Sequence, residues 1–337
     1  MNIDHTFVIN LDHRPDRWQK IQNDFKDTGL KLEKWNAIYG KNLDETTIQE
    51  VTTDYCNNFC TYGIIGCWLS HYTLWQYIVK NNLDNVLILE DDAIPLPDFN
   101  NKLNETIIPT NYDLVYIGYF NIFDCTAPLE SMKQDKNAFI NGVPSDNLII
   151  PRRPIGLHGY LISNKGAQIL TNCPKLKKIT HGIDLALSDY IYADDNIEFN
   201  MYALKEPQIT QITDTNNSDL VNNYHPILNY ILSQVKINDS LDMGYITQCP
   251  LLSIRKTGID INVLMMIFVI GSLLMGLFLS KETLIYILIG IIIIFVLEYL
   301  VIKKKNSTVL LAELGIIIGF IFIGQWIAKL YKSKINK

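Results

Sequence analysis

The sequence predicts an α/β domain with a largely parallel mixed sheet, followed by three transmembrane helices. Three observations carry that reading. Short β-branched runs alternate with stretches of helical spacing through the first 230 residues, the pattern of parallel strands joined by crossover helices. Three apolar runs, 263–280, 283–302 and 309–328, each approach the ~20 residues that cross ~30 Å of hydrocarbon at 1.5 Å per residue. The charge divides at the same place: residues 251–337 hold 10 Lys/Arg against 4 Asp/Glu, and the remainder holds 19 against 31. The expected plan is a catalytic-sized domain at 1–230, a linker at 231–258 and a membrane region at 259–330.

Each element follows from its residues. Residues 5–11 (HTFVINL) form a short apolar run ending in polar residues, which reads as a buried strand. Pro15 starts a helix, Trp18, Ile21 and Phe25 repeat at helical spacing, and Gly29 stops it. A second strand is expected at 34–39. Residues 63–82 form a helix with Trp68, Tyr72, Trp75 and Val79 in one stripe and Cys67, His71, Leu74 and Ile78 beside it. Both tryptophans are expected in the core. Residues 85–89 (NVLIL) are a buried strand that ends in Glu90-Asp91-Asp92. Further strands are expected at 113–118, 155–163, 201–204 and 208–212, with helices at 165–171 and 182–192.

The composition limits the function classes. With 337 residues, 48% apolar and 19% charged, the chain is neither disordered, nor collagen, nor a small disulfide scaffold. An acidic N-terminal part is a poor nucleic-acid binder, because counterion release needs clustered Lys/Arg. Cys56, Cys60, Cys67, Cys125, Cys173 and Cys249 form no paired CxxC array and read as free thiols in a reducing compartment. Glu298 and Glu313 interrupt apolar runs near their ends and are expected to snorkel to the interface. Five Lys/Arg fall on each side of three spans, so the positive-inside rule ties. Without a signal-peptide pattern at the start, the N-terminal domain is expected in the cytosol. The Ile-, Asn- and Lys-rich usage suits an AT-rich genome, bacterial or of a large DNA virus, and then a host membrane.

Two segments could carry chemistry. Three carboxylates follow a buried strand, where α/β sheets place their sites. In extended backbone Glu90 and Asp92 point the same way. A divalent cation with oxygen ligands, Mn²⁺ or Mg²⁺, would relieve their repulsion and meet a diphosphate; the alternative is a solvated acidic turn. Asn10 to Trp18 (NLDHRPDRW) passes from a strand end into a helix N-terminus, which offers N–H groups and a favourable dipole to phosphate. Asn10, Arg14, Asp16 and Arg17 are its candidate binding residues; the alternative is an ordinary connection with a salt-bridged Asp16.

VINLDHRPDRW, then GCWLSHYTLW, then VLILEDDAI, in this order and spacing, resemble the family 25 glycosyltransferases, the lipopolysaccharide-biosynthesis and procollagen galactosyltransferase type. DLVYIG, HGYLISNKGAQIL, HGIDLAL, EPQITQ and Ser218-Asp219 continue the likeness to about residue 220. The resemblance implies a GT-A-type nucleotide-sugar-binding domain, a UDP-galactose or UDP-glucose donor and a Mn²⁺-type cation on Glu90, Asp91 and Asp92. It also implies a glycan, lipid-linked or protein acceptor and an inverting reaction. Asp184 matches a second acidic position, although Gly182-Ile183 stands where the family has Pro-Val; Asp219 matches a late one. Inversion needs a carboxylate base for the acceptor hydroxyl, for which Asp184 is the candidate, with Asp189 and Asp219 behind it. His71 either meets the donor, or acts as a base, or is a buried hydrogen-bonded histidine. The rival readings are a metal-dependent nucleotidyltransferase or phosphohydrolase, and a catalytically inactive transferase-like membrane protein. In either transferase reading the lipid bilayer is a partner.

Overall fold

The computed structural model describes residues 2–120, 138–140, 143–145, 147–151, 154–192, 198–211, 225–238, 241–254, 259–301 and 307–335. The chain divides into two compact units, 1–212 and 213–337.

The first unit contains β1 (His5–Asn10), α1 (Pro15–Asp24), β2 (Leu32–Asn36), α2 (Glu45–Val51), α3 (Asp54–Phe59) and α4 (Tyr62–Lys80). There follow β3 (Val86–Glu90), β4 (Ala93–Pro95), α5 (Phe99–Glu105), β5 (Leu114–Phe120) and a hairpin of β6 (Ala138–Ile140) and β7 (Val143–Ser145). It closes with β8 (Leu148–Ile149), β9 (Ile155–Ile162), α6 (Asn164–Asn172), α7 (Ile183–Tyr192), β10 (Met201–Leu204) and β11 (Ile209–Gln211). Seven strands form one sheet in the order β2-β1-β3-β9-β5-β10-β8. β1, β2, β3, β5 and β10 run one way; β9 and β8 run against them. The sheet is therefore mixed and largely parallel.

Alternation along β3 sets the two layers. Val86 and Ile88 face one side with Phe7, Ile9, Tyr116, Tyr160 and Ile162, where Leu74 and Trp75 of α4 and Leu170 of α6 cover them. Leu87 and Leu89 face the other with Val8, Val115 and Leu161, under Ile21 of α1 and Phe99 of α5. Burial on both faces is what a continuous Val-Leu-Ile-Leu run requires. Trp68 and Trp75 are core residues, 2% and 0% exposed. β2 starts two residues and ends three residues earlier than expected, because its parallel register with β1 runs from Thr6↔Leu32 to Asn10↔Asn36. The short helices α2, α3 and α5 were not anticipated; none has enough turns to display a periodicity.

Cys56 and Cys60 are joined by a disulfide, which corrects the reading of all six cysteines as thiols. Positions four apart share one helix face, and here the Cα atoms are 4.6 Å apart, within disulfide range.

The second unit contains α8 (Pro226–Ser233), a β12 (Lys236–Asn238) and β13 (Leu241–Asp242) pair, α9 (Met243–Gln248) and a β14 (Pro250–Ile254) and β15 (Ile259–Asn262) pair. The expected linker thus holds regular structure. Then come α10 (Val263–Phe278), α11 (Lys281–Val301) and α12 (Ser307–Ile335). Two helical stretches are long and apolar enough to cross a bilayer, Lys281–Val301 and Val309–Tyr331. α10 has 16 residues, about 24 Å at 1.5 Å rise, short of a ~30 Å hydrocarbon core. Two candidate spans therefore replace the expected three. α10 meets α12 at Gly276 and Gly324: a Cβ on Gly276 would lie 2.1 Å from the Ile321 carbonyl oxygen, and one on Gly324 2.4 Å from that of Leu273. Small residues are how apolar helices reach such separations. Glu298 and Glu313 do not snorkel. They are 1% and 3% exposed, because each finds a partner inside the unit: Glu298 accepts the N–H groups of Ile227 and Leu228, and Glu313 pairs with His225.

Candidate active site

Parallel pairing of β1 with β3, Ile9 opposite Glu90, brings both carboxyl ends to one edge of the sheet. Asn10 leaves β1 there, and Glu90, Asp91 and Asp92 leave β3. The period of two then sorts the acids. Glu90 continues the parity of Val86 and Ile88 and meets α4, where His71 Nε2 lies 3.3 Å from its Oε1. Asp91 points to the α1 side. Its two oxygens accept from Asn10 Nδ2 at 2.7 Å and Arg17 Nη1 at 2.8 Å. Asp92 returns to the side of Glu90, and the Gln211 amide donates to both, at 2.8–2.9 Å to Asp92 and 3.1 Å to Glu90.

β11 brings Gln211 there, and two glycines make room for it. A Cβ on Gly118 would lie 2.7 Å from the Ile209 carbonyl oxygen, and one on Gly159 2.6 Å from the Ile209 side chain. Behind Glu90 runs a buried chain of hydrogen bonds. Trp75 Nε1 donates to the Tyr160 hydroxyl at 2.8 Å, and that hydroxyl lies 2.9 Å from His71 Nδ1. Indole N–H can only donate, so the tyrosine proton is assigned to His71 Nδ1. The neutral ring then carries its proton on Nε2, facing Glu90.

The three acids differ in charge state as they do in partners. Burial pushes Glu90 up, but its carboxyl is held below the usual range, first by the hydrogen bond from His71 and then by the charge of Arg17. Burial raises Asp91 despite Arg17 and Asn10. Asp92 is pushed up to about 7 by burial and by the charges of Glu90 and Asp91. Glu90 and Asp92 keep 23% and 20% of their side-chain surface, whereas Asp91 keeps 9% and is saturated by its partners. Two partly exposed carboxyl groups that share one amide fit a hard divalent cation with oxygen ligands. Cys67, His71 and Glu90 also bring ligand atoms within 4.8 Å of one another. That trio suits a soft metal poorly. His71 Nε2 carries the proton directed at Glu90, and burial with the charges of Glu90, Asp184 and Asp92 pushes the Cys67 thiol far up.

Residues 3–187 match the sequence profile described as Glycosyltransferase family 25 (LPS biosynthesis protein). The chain belongs to glycosyltransferase family 25. A glycosyltransferase 25 family member of Drosophila pseudoobscura pseudoobscura is 32% identical over 191 residues, covering 53% of this chain and 29% of that protein. Procollagen galactosyltransferase 1-B of Xenopus laevis is 28% identical over 194 residues, 53% and 30% of the two chains. The probable inactive glycosyltransferase 25 family member 3 of Bos taurus is 24% identical over 192 residues, again 53% and 30%. The match thus spans under a third of these curated relatives.

The remaining candidates of this family 25 chain fall into separate places. Asp184, on the first turn of α7, accepts the N–H of Gly156 at 3.0 Å and of Leu185 at 2.8 Å. Gly156 has φ +90°, a conformation that favours glycine. Burial raises the Asp184 carboxyl, with those two bonds only partly offsetting it and the charge of Glu90 adding to it. Asp189 is 54% exposed in its side chain and pairs with His181 at 3.4 Å. Arg14 is bonded to Asp16 at 3.1–3.2 Å, and its carbonyl accepts from Asn10. Arg17 is bonded to Asp91. Asp219 lies outside the described residues. His71 is wholly buried, with its Nε2 facing Glu90. Gln211, Tyr160 and Gly156 were not singled out from the sequence. Gln211 and Tyr160 stand inside EPQITQ and HGYLIS, but a lone amide or phenol in a strand has no local signal.

Proposed function

We propose that this chain is a membrane-anchored glycosyltransferase. It would move a hexose, galactose or glucose, from a UDP-sugar to a glycan, lipid-linked or protein acceptor, with inversion. The observation that supports it most is the acidic strand end, where Glu90 and Asp92 share one amide and stay partly exposed. Mn²⁺ or Mg²⁺ held by Asp92 with Glu90 would stabilise the charge that builds on the leaving diphosphate.

The chain's own groups do the rest. Asn10 and Arg17 hold Asp91, and through it the turn that carries Asp92. His71, oriented by Tyr160, fixes Glu90. The N-terminus of α1, beside Arg14, presents its positive dipole end to the donor's phosphates. Asp184, raised by burial, is suited to take the acceptor hydroxyl proton, since a base works best with a pKa near the working pH. Spans at Lys281–Val301 and Val309–Tyr331 would keep the enzyme at a bilayer, which favours a lipid-linked or membrane-protein acceptor. The Cys56–Cys60 bond supports an oxidising side for the first unit over the expected cytosolic one.

The bovine relative gives the inactive reading a specific basis; the intact acids, Arg17 and His71 weigh against it. The test is UDP release from a panel of UDP-sugars by the full chain in detergent, with and without Mn²⁺, beside Asp92→Ala. Metal-dependent turnover of one sugar, lost in the variant, is expected. A folded protein that neither binds a donor by calorimetry nor turns one over would instead be the inactive type.

A further inference from the structure

Two carboxylates inside the candidate spans reach into one four-residue stretch, 225–228. Glu298 takes the N–H groups of Ile227 and Leu228, both at 2.9 Å. Glu313 lies 2.7 Å from Nε2 of His225, whose ring packs edge-on against Phe268 and Phe295. Glu298 therefore satisfies the first free N–H groups of α8, the role a capping side chain usually plays from within a helix. An isolated carboxylate in hydrocarbon is costly, and these two are compensated by a helix that the sequence does not mark as part of the membrane region.

The level of this clamp follows from chain position. Glu298 is three residues from the end of the span at Val301, and Glu313 four residues from the start of the other at Val309. At 1.5 Å per residue both lie about 5–6 Å inside the apolar boundary. α8 is thus fixed at the depth where interfacial helices lie, about 5–10 Å into the headgroup and acyl border. Its buried side is Asn229, 2% exposed; its outward side is apolar, with Ile227, Tyr230 and Ile231 at 37%, 69% and 58% exposure. The outward side of α11 near Glu298 is of the same kind: Ile294, Leu297, Leu300 and Val301 are 57%, 50%, 73% and 61% exposed. A tyrosine among aliphatic residues suits the water–lipid border.

We infer that α8 is an interfacial helix whose Ile227, Tyr230 and Ile231 face contacts bilayer lipid, clamped to the spans by Glu298 and by the His225–Glu313 pair. The membrane region then begins at His225. This rests on the proposed membrane anchoring. Within the second unit α8 then lies along the rim of the two spans, and the clamp explains why Glu298 and Glu313 stand in apolar stretches of α11 and α12.

The experiment uses the full chain in lipid nanodiscs. Trp326, 62% exposed on α12, is removed by Trp326→Phe, and Tyr230→Trp then places a reporter on α8. Lipids brominated near the headgroup should quench most of the introduced emission, more than lipids brominated at the chain end, and aqueous iodide should quench little. Adding Glu298→Ala should release the helix and raise iodide quenching. Strong iodide quenching without bromolipid quenching, in a chain that resists alkaline extraction from membranes, overturns the interfacial helix and leaves the anchoring intact. A chain released by alkaline extraction overturns both.

Discussion

Asp91 and Asp92 are neighbours with opposite fates. Asp91 is closed off by Asn10 and Arg17, and breaking a buried pair of this kind by removing one partner typically costs about 3–5 kcal/mol. Both of its oxygens are engaged within the protein. Asp92 keeps solvent access, and Arg17 and Gln211 only partly offset its burial and the repulsion of its neighbours. Asp184 differs again, since burial holds it up while two backbone N–H groups orient it. As a base it must be ionised. With a raised pKa, the rate should climb with pH through a limb lying above the usual carboxylate range. Asp184→Asn should lower kcat by about 10²–10⁴ and abolish that limb. A pH profile of kcat/KM for both proteins checks this; an unchanged limb in the variant would assign it to another group.

At the scale of elements, the site depends on β11 more than on any helix. This three-residue strand pairs with β4 and passes close over Gly118 and Gly159 to deliver the Gln211 amide. Gly118→Ala would put a methyl 2.7 Å from the Ile209 carbonyl and 2.8 Å from the His158 ring. Neither can yield without moving β11 or His158. The expected outcome is a folded protein with unchanged circular dichroism but much weaker donor binding, measured by calorimetry. Donor affinity equal to wild type would show that Gln211 is dispensable. α4 holds the opposite wall: Thr61 caps it through Ile64 N–H, and its buried face presents Trp75 and His71 to Tyr160.

For the molecule as a whole, the disulfide is the most direct handle on where it resides. Mass spectrometry of protein isolated under alkylating conditions should find Cys56 and Cys60 bonded to each other, and Cys67 and Cys173 as thiols. Full alkylation of Cys56 and Cys60 without reductant would return the first unit to a reducing compartment.

The order of strands and helices, the buried β3 and the acidic triplet at its end were legible because each rests on local periodicity. A run of Val-Leu-Ile-Leu must be buried wherever it goes, and its last residues must emerge at a sheet edge. Family membership was legible for a similar reason, since three motifs keep their order and spacing along the chain. What Glu90, Asp91 and Asp92 each do was not legible. That depends on which residues the packing of β1, α4 and β11 sets opposite them, and those partners, Asn10, His71 and Gln211, are up to 121 residues away. Glu298 and Glu313 make the same point: read along the chain they are interruptions near span ends, and only the fold supplies Ile227, Leu228 and His225. A lone polar residue carries no periodicity, and its role is fixed by what three-dimensional packing leaves within hydrogen-bond reach.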